Sequence, residues 1–281
     1  LLKENSNEVL IWKDGEALEK NSTVIGAIPT QAIRVVLEPS RGVKNITYIN
    51  CAKGIERKTH NLPYQIVTGI LGSPNYFTLI GPSFSEEVIQ KMPTLVNLGY
   101  RNEASAQKVR ELFQTDYFRV KITRGIRSLE LAAAFKNIYA IACGVTDGLG
   151  YGMNTRVKIM CLAMDEFNKL RTKLDFKIDD SAIPATIGDL ILTCSSEESR
   201  NFTFGKLLAK NSVEKSLSMV QGTVEGYHTV ESVPYFEKET GVKLPLARFV
   251  YQITHSAGSG QAHSDSSKDI RTLFSDFVKT T

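Results

Sequence analysis

Lys136-Asn137 interrupts an otherwise apolar, small-residue stretch, Leu129–Asp147, LELAAAFKNIYAIACGVTD. Taking an ammonium out of water is costly, so a lysine is seldom placed among apolar residues without a reason. A desolvated lysine loses proton affinity and works as a base near neutral pH. A lone helical lysine is more often a solvent-facing residue. Phe135, Ile138, Ala140, Ile141 and Ala142, however, leave little polar surface around this one.

A second group lies in Gly188–Asn201, GDLILTCSSEESRN. Asp189 is an acid at a helix-like turn. Ser199 suits the N-cap of a following helix, which puts Arg200 and Asn201 in its first turn. Free amides and the helix dipole favour an anion there, and arginine suits bidentate phosphate recognition. An ordinary capped, solvated helix start explains the same residues equally well. A third group sits at expected strand ends: Pro29-Thr30, Lys53-Gly54 and Gly81-Pro82-Ser83. Ligands of open parallel sheets bind at the carboxyl ends of strands. Gly54 and Gly81 allow close backbone approach, and Lys53 is a point charge for a phosphate or carbonyl oxygen. Any one of these is ordinary loop chemistry; three together point to a site.

These residues need a frame to hold them. Asn7–Trp12 (NEVLIW), Thr23–Ile28, Ile46–Cys51, Tyr76–Ile80 and Thr94–Gly99 read as strands. Helices are expected from Thr30 to about Leu37 and over Leu62–Leu71, Glu86–Lys91 and Ala104–Phe113. That alternation predicts βαβ units and a parallel sheet. From Ser128 the period changes to long helical patterns: Leu129–Thr146, Thr155–Lys173, Phe204–Lys210 and Val230–Thr240. The expected fold is α/β plus all-α. An incomplete-looking Rossmann-type dinucleotide-binding domain over residues 1–120 precedes a helical substrate domain over 121–281. Ser256–Lys268, rich in Ser, Gly and His, reads as a mobile loop.

The 281 residues are 42% hydrophobic and 23% charged, with a net charge of +4. That balance suits a small anionic substrate and gives no support for nucleic-acid binding. No apolar run reads as long enough to cross a membrane. Cys51, Cys143, Cys161 and Cys194 lack metal or redox spacing and read as buried thiols in a reducing compartment. The four histidines form no metal set. No G-x-G-x-x-G follows a strand, and Gly148–Gly152 and Gly258–Gly260 are near misses in the wrong context.

Several blocks nevertheless occur in one order: LLKENSNEVLIW, IGAIPTQAIRVVL, CAKGIE, GPSFSEEV, Pro93-Thr94, Phe118–Val120, ELAAAFKNIYAIACGVTDGLGYGMNTR, GDLILTCSSEESRNFTFG and VEGYHTV. Together they resemble the NAD(P)-dependent sn-glycerol-3-phosphate dehydrogenases of bacterial type, from about Leu1 to the C-terminus. The resemblance implies reversible hydride transfer between NAD or NADP and carbon 2 of the glycerol phosphate, feeding phospholipid synthesis. It implies Lys136 as general acid/base and Lys53 as a second lysine touching substrate and cofactor. Gly81, Ser83 and Asp189 match substrate-binding positions. Ser199, Arg200 and Asn201 match the phosphate element, Arg200 also reaching the cofactor. Ser85, Thr223 and Glu225 match cofactor positions, with Ser85 replacing the usual Ala and Thr223 an apolar residue. Ala185-Thr186-Ile187 replaces a glycine-rich lead into Asp189.

The resemblance also implies a cytoplasmic enzyme with a small phosphorylated substrate, no nucleic-acid partner and no integral membrane segment, with a homodimer as an option. The choice of dinucleotide falls at Trp12-Lys13-Asp14, where Lys13 suits a 2′-phosphate and Asp14 a ribose hydroxyl. Because NEVLIW reads as a second strand, a glycine-rich strand–turn–helix is expected ahead of Leu1. Two rivals are a related 2-hydroxyacid dehydrogenase and a catalytically dead, metabolite-binding relative.

Overall fold

A computed structural model describes residues 15–255 and 270–280. The strand expected at Asn7–Trp12, the Lys13/Asp14 choice and the loop expected at Ser256–Lys268 lie outside the described residues. The first half alternates as the sequence predicts: β1 (Thr23–Gly26), α1 (Thr30–Leu37), β2 (Thr47–Asn50), α2 (Pro63–Leu71), β3 (Asn75–Ile80), α3 (Ser85–Ile89), β4 (Thr94–Tyr100), α4 (Glu103–Phe113) and β5 (Phe118–Arg124). The second half is helical: α5 (Ile126–Gly148), α6 (Met153–Lys173), a π-helical turn at Pro184–Gly188, α7 (Asp189–Ser195), α8 (Arg200–Leu208), α9 (Val213–Met219), α10 (Glu225–Thr229), α11 (Val233–Thr240), α12 (Pro245–His255) and α13 (Ile270–Thr280).

By contacts the chain divides into two units. One comprises residues 1–133 and 176–189, the other 134–175 and 190–281, so α5 and the segment around Asp189 pass from one to the other. In the first unit the five strands lie in sequence order, β1-β2-β3-β4-β5. The sheet is not wholly parallel: β4 runs antiparallel to β3, with Thr78 opposite Gly99, and β5 then runs parallel to β4. Helix α3 explains the reversal. Its five residues span about 8 Å at 1.5 Å per residue. The seven residues of β4 span about 23 Å at 3.3 Å per residue. So short a helix cannot carry the chain back along the sheet, and the chain turns and returns instead.

Both faces of the sheet are covered. Successive residues alternate between them, so Tyr48 and Tyr76 pack with Ile33, Leu37, Ile66 and Val67, while Ile49 and Phe77 pack with Val109 and Phe113. The sequence marked Phe118–Val120 only as a motif. It begins β5, whose first residues alternate buried and exposed, the mark of a strand.

Helix α5 is 23 residues long, with an 18-residue window of mean hydropathy 1.2. By length and composition it could span a bilayer, contrary to the expectation that no run is long enough. That window is wholly buried inside the protein, as befits a core helix. The cysteines also depart in part from expectation. All four are free thiols; Cys143 and Cys194 are buried, Cys51 is partly so, and Cys161 is exposed on α6.

Candidate active site

In the first unit, the segments after β1, β2 and β3 leave the same edge of the sheet, because these three strands are parallel. Lys53 follows β2. Its Nζ donates to the Gly81 carbonyl at 3.2 Å and to Asp189 Oδ2 at 3.0 Å. The hydroxyl of Ser83 donates to the same carbonyl, also at 3.2 Å. Gly81 must be glycine, since a Cβ there would lie 2.7 Å from Val96 Cα. Asp189 is 1% exposed, and a carboxylate so buried requires a charge partner. Lys53 provides it while keeping about a quarter of its own side chain open to solvent.

Lys53 sits on irregular chain tied on both sides. Before it, Asn50 closes a turn, accepting from the Ala52 amide and donating to the Ala52 carbonyl, both at 3.1 Å. After it, Gln31 of α1 donates to the Ile55 carbonyl at 2.7 Å and accepts from the Arg57 amide. Arg34, also on α1, forms a two-pronged pair with Glu56 at 2.7 and 2.8 Å. That pair holds the Glu56 carboxyl below its usual range. Asp189 is positioned by the preceding π-helical turn, where the Ala185 amide donates to Asn97 Oδ1 and the Thr186 hydroxyl to the Ala182 carbonyl, each at 2.9 Å. Such turns recur at functional sites. The departure from a glycine-rich lead thus builds a fixed approach to the acid.

In the second unit, Lys136 lies on α5 and is 6% exposed, as its apolar flanks predict. Its Nζ donates to Thr193 Oγ1 at 2.6 Å. Thr193 was not foreseen. The available signal is its place one helical turn after Asp189 on α7, on the same face.

Ser199 caps α8, its hydroxyl accepting from the Phe202 amide at 3.3 Å, so Arg200 and Asn201 do begin that helix. Arg200 is exposed and lies against Gly222, where a Cβ would come within 2.8 Å of Nη1. Asn201 is buried, and its Oδ1 accepts from the Gly226 amide at 2.8 Å, which ties α8 to α10.

Three glycines bring the helix backbones together. A Cβ on Gly144 of α5 would lie 2.0 Å from the Phe202 carbonyl oxygen, and one on Gly205 of α8 2.0 Å from that of Ile141. One on Gly226 would lie 2.5 Å from the Asn137 carbonyl oxygen.

Glu225, at the start of α10, has its Oε2 buried with no hydrogen-bond donor among the described residues. Burial pushes its carboxyl up to about 7, against the pull of Arg200. A buried acceptor without a donor suits the N–H and O–H groups of a dinucleotide. Thr223 stands half-buried just before α10. Ser85 is not gathered in: it is exposed at the start of α3, its hydroxyl donating to Glu86.

One unit thus carries a lysine–carboxylate pair at the edge of an α/β sheet, and the other a buried lysine and an arginine-led helix start, residue types that suit an α/β dehydrogenase. Residues 2–106 match the profile described as the NAD-dependent glycerol-3-phosphate dehydrogenase N-terminus, and residues 125–262 match that of its C-terminus. A "Glycerol-3-phosphate dehydrogenase [NAD(P)+]" of Lawsonia intracellularis is 36% identical over 249 residues, 87% of this chain and 70% of the relative. One of Geobacillus thermodenitrificans is 37% identical over 257 residues, 88% of this chain and 74% of the relative. Among solved structures, glycerol-3-phosphate dehydrogenase from Coxiella burnetii has the same fold, with a TM-score of 0.82 at 24% identity, covering 92% of this chain and 76% of its own. The chain belongs to the NAD-dependent glycerol-3-phosphate dehydrogenase family.

Proposed function

We propose that this chain is an NAD(P)-dependent oxidoreductase that interconverts dihydroxyacetone phosphate and sn-glycerol 3-phosphate. The observation that carries the reading is the buried Lys136 ammonium held at 2.6 Å by Thr193, in a chain of this family. The nicotinamide cofactor, when bound, supplies or takes the hydride. What remains for the protein is to orient carbon 2 and manage one proton. Lys136 gives that proton to the carbonyl oxygen as carbon 2 is reduced and takes it back in reverse.

Lys53 holds a substrate oxygen and reaches the cofactor, with Asp189 fixing its ammonium and contacting substrate hydroxyls. Gly81 and Ser83 line the same edge. Arg200 takes the phosphate, assisted by the α8 start that Ser199 caps. Asn201 has its amide nitrogen to offer, since its oxygen is committed to Gly226. Glu225 meets donors of the dinucleotide, and Thr223, Ser85 and Arg200 complete its contacts. Phosphate binding remote from carbon 2 contributes orientation, which lowers the barrier by fixing the reacting geometry.

In this reading residues 1–120 serve mainly the dinucleotide and 121–281 the substrate. The enzyme is cytoplasmic, in keeping with its four free cysteines, acts as a homodimer and supplies glycerol phosphate for phospholipids. The 2-hydroxyacid dehydrogenase and metabolite-binding alternatives are not favoured by its relatives. A turnover panel tests the choice. Dihydroxyacetone phosphate should be reduced with NADH or NADPH, while dihydroxyacetone and pyruvate should not. Preference for a 2-keto acid, or dinucleotide binding without turnover of any substrate, defeats the proposal.

A further inference from the structure

Glu130 is 1% exposed on the first half of α5, in the same contact unit as Lys53. Its carboxyl is the meeting point of three donors from three elements. The Tyr64 amide in the first turn of α2 donates to Oε2 at 2.9 Å, and Asn50 Nδ2 at the end of β2 donates to Oε1 at 3.3 Å. The Tyr76 hydroxyl of β3 donates to Oε1, and Thr78 of the same strand accepts from Asn50 Nδ2 at 3.3 Å. Asn50 is the residue whose amide also closes the turn at Ala52, directly before Lys53. A continuous line of hydrogen bonds therefore runs from Glu130 through Asn50 to the backbone that presents Lys53 to Gly81 and Asp189.

We propose that Glu130 is a positioning residue of the reaction: through Asn50 it fixes the turn that carries Lys53. A carboxylate offers acceptor sites to all three donors at once, where a side-chain amide oxygen offers only two. Burial works against its charge and pushes the carboxyl up to about 7, while its hydrogen bonds pull it down. An apolar residue at this place would strand those donors, and a buried donor without an acceptor is costly. Tyr76, whose ring stacks on Tyr48 at 5.9 Å, meets Tyr64 edge-on at 5.2 Å, so the aromatic side of the network is itself held. Asn50 is thus left as the member that transmits position to the loop.

This inference rests on the dehydrogenase reading, and the experiment separates the two. Wild-type turnover of dihydroxyacetone phosphate is measured first; its absence defeats the functional reading and not this one. Binding of glycerol 3-phosphate is then measured by calorimetry with reduced dinucleotide, a pair that cannot react. Glu130→Gln keeps the shape but turns an amide donor against one of the three donors. Glu130→Gln and Asn50→Ala should each weaken binding roughly fivefold, with folding checked by thermal melting. In a Lys53→Ala background neither should weaken it further, since all act through one ammonium. A general loss of structure would persist in that background. Unchanged affinity in the single variants, or additive losses in the double variants, overturns the proposal. Should Glu130→Gln fail to fold, Asn50→Ala with and without Lys53→Ala decides alone.

Discussion

The two lysines given roles in the proposed function are mounted in different ways. Lys53 stands on irregular chain and is placed by polar ties, Asn50 on one side and Gln31 with the Arg34–Glu56 pair on the other. Lys136 stands within a 23-residue helix and is placed by backbone packing, through Gly144, Gly205 and Gly226. A tied loop shifts by degrees as single bonds are lost. A close-packed helix pair does not: its contacts either fit or clash. The lysine given the proton-transfer role has the stiffer mount.

The sharpest test of that contrast removes the helical lysine itself. Lys136→Ala should lower kcat about 10²- to 10⁴-fold while melting temperature and dinucleotide affinity stay near wild type. Near-normal kcat would remove the proton-transfer role. Gly205→Ala should act on stability instead, because its Cβ would meet the Ile141 carbonyl oxygen at 2.0 Å. Overpacking of this kind costs about 1–3 kcal/mol or more, read as a lower denaturant midpoint. A midpoint equal to wild type would mean that the helices slide freely.

Arg200→Ala should weaken phosphate-bearing substrates roughly tenfold to a hundredfold, as expected for losing a charge-assisted contact. Affinity within twofold of wild type would show that the phosphate lies elsewhere. The buried acid Glu166 gives a pH test of the helical unit. It accepts from the Leu246 and Ala247 amides at the start of α12, and burial pushes it up to about 7. A folded-state value above the ordinary carboxyl range favours the neutral form. Its stabilising contribution is therefore complete below about 4.5 and is lost as pH rises through about 7. Glu130 and Glu225 are raised in the same direction. The melting temperature should fall between about pH 5 and pH 8, and Glu166→Gln should flatten part of that fall. A melting temperature that rises over this range contradicts the assignment. The smallest effect is reserved for the loop. Arg34→Ala removes a partly exposed pair, worth about 1 kcal/mol or less, and should raise KM only a few-fold with kcat nearly unchanged.

Periodicity made the helices and most strands legible, α1 to its last residue, and Ser199 announced the start of α8. Lys136 could be read as buried because, Asn137 apart, its near neighbours are apolar. The reversal at β4 could not be read, because pairing direction is a property of the assembled sheet; only the shortness of the segment around α3 hinted at it. Glu130 and Asn50 escaped for another reason. Each looks like an ordinary member of its local pattern, and their meaning arises only when β2, α2, β3 and α5 meet. Thr193 was hidden in the same way inside an apolar stretch. Ser85, by contrast, was carried over from a motif; it stands exposed at the start of α3.

The glycine contacts between α5 and α8 also bear on how such a site can change over generations. With carbonyl oxygens where methyl groups would have to go, the separation of the two helices is written into the main chain. Exchanging residues on either helix alters the side chains it presents, not the separation of the two main chains that, in the proposed function, sets the span from Lys136 to the phosphate. A longer or shorter phosphorylated alcohol would demand a new spacing, and no single side-chain replacement provides one. Descendants of this chain should therefore diversify more readily in dinucleotide preference than in substrate length.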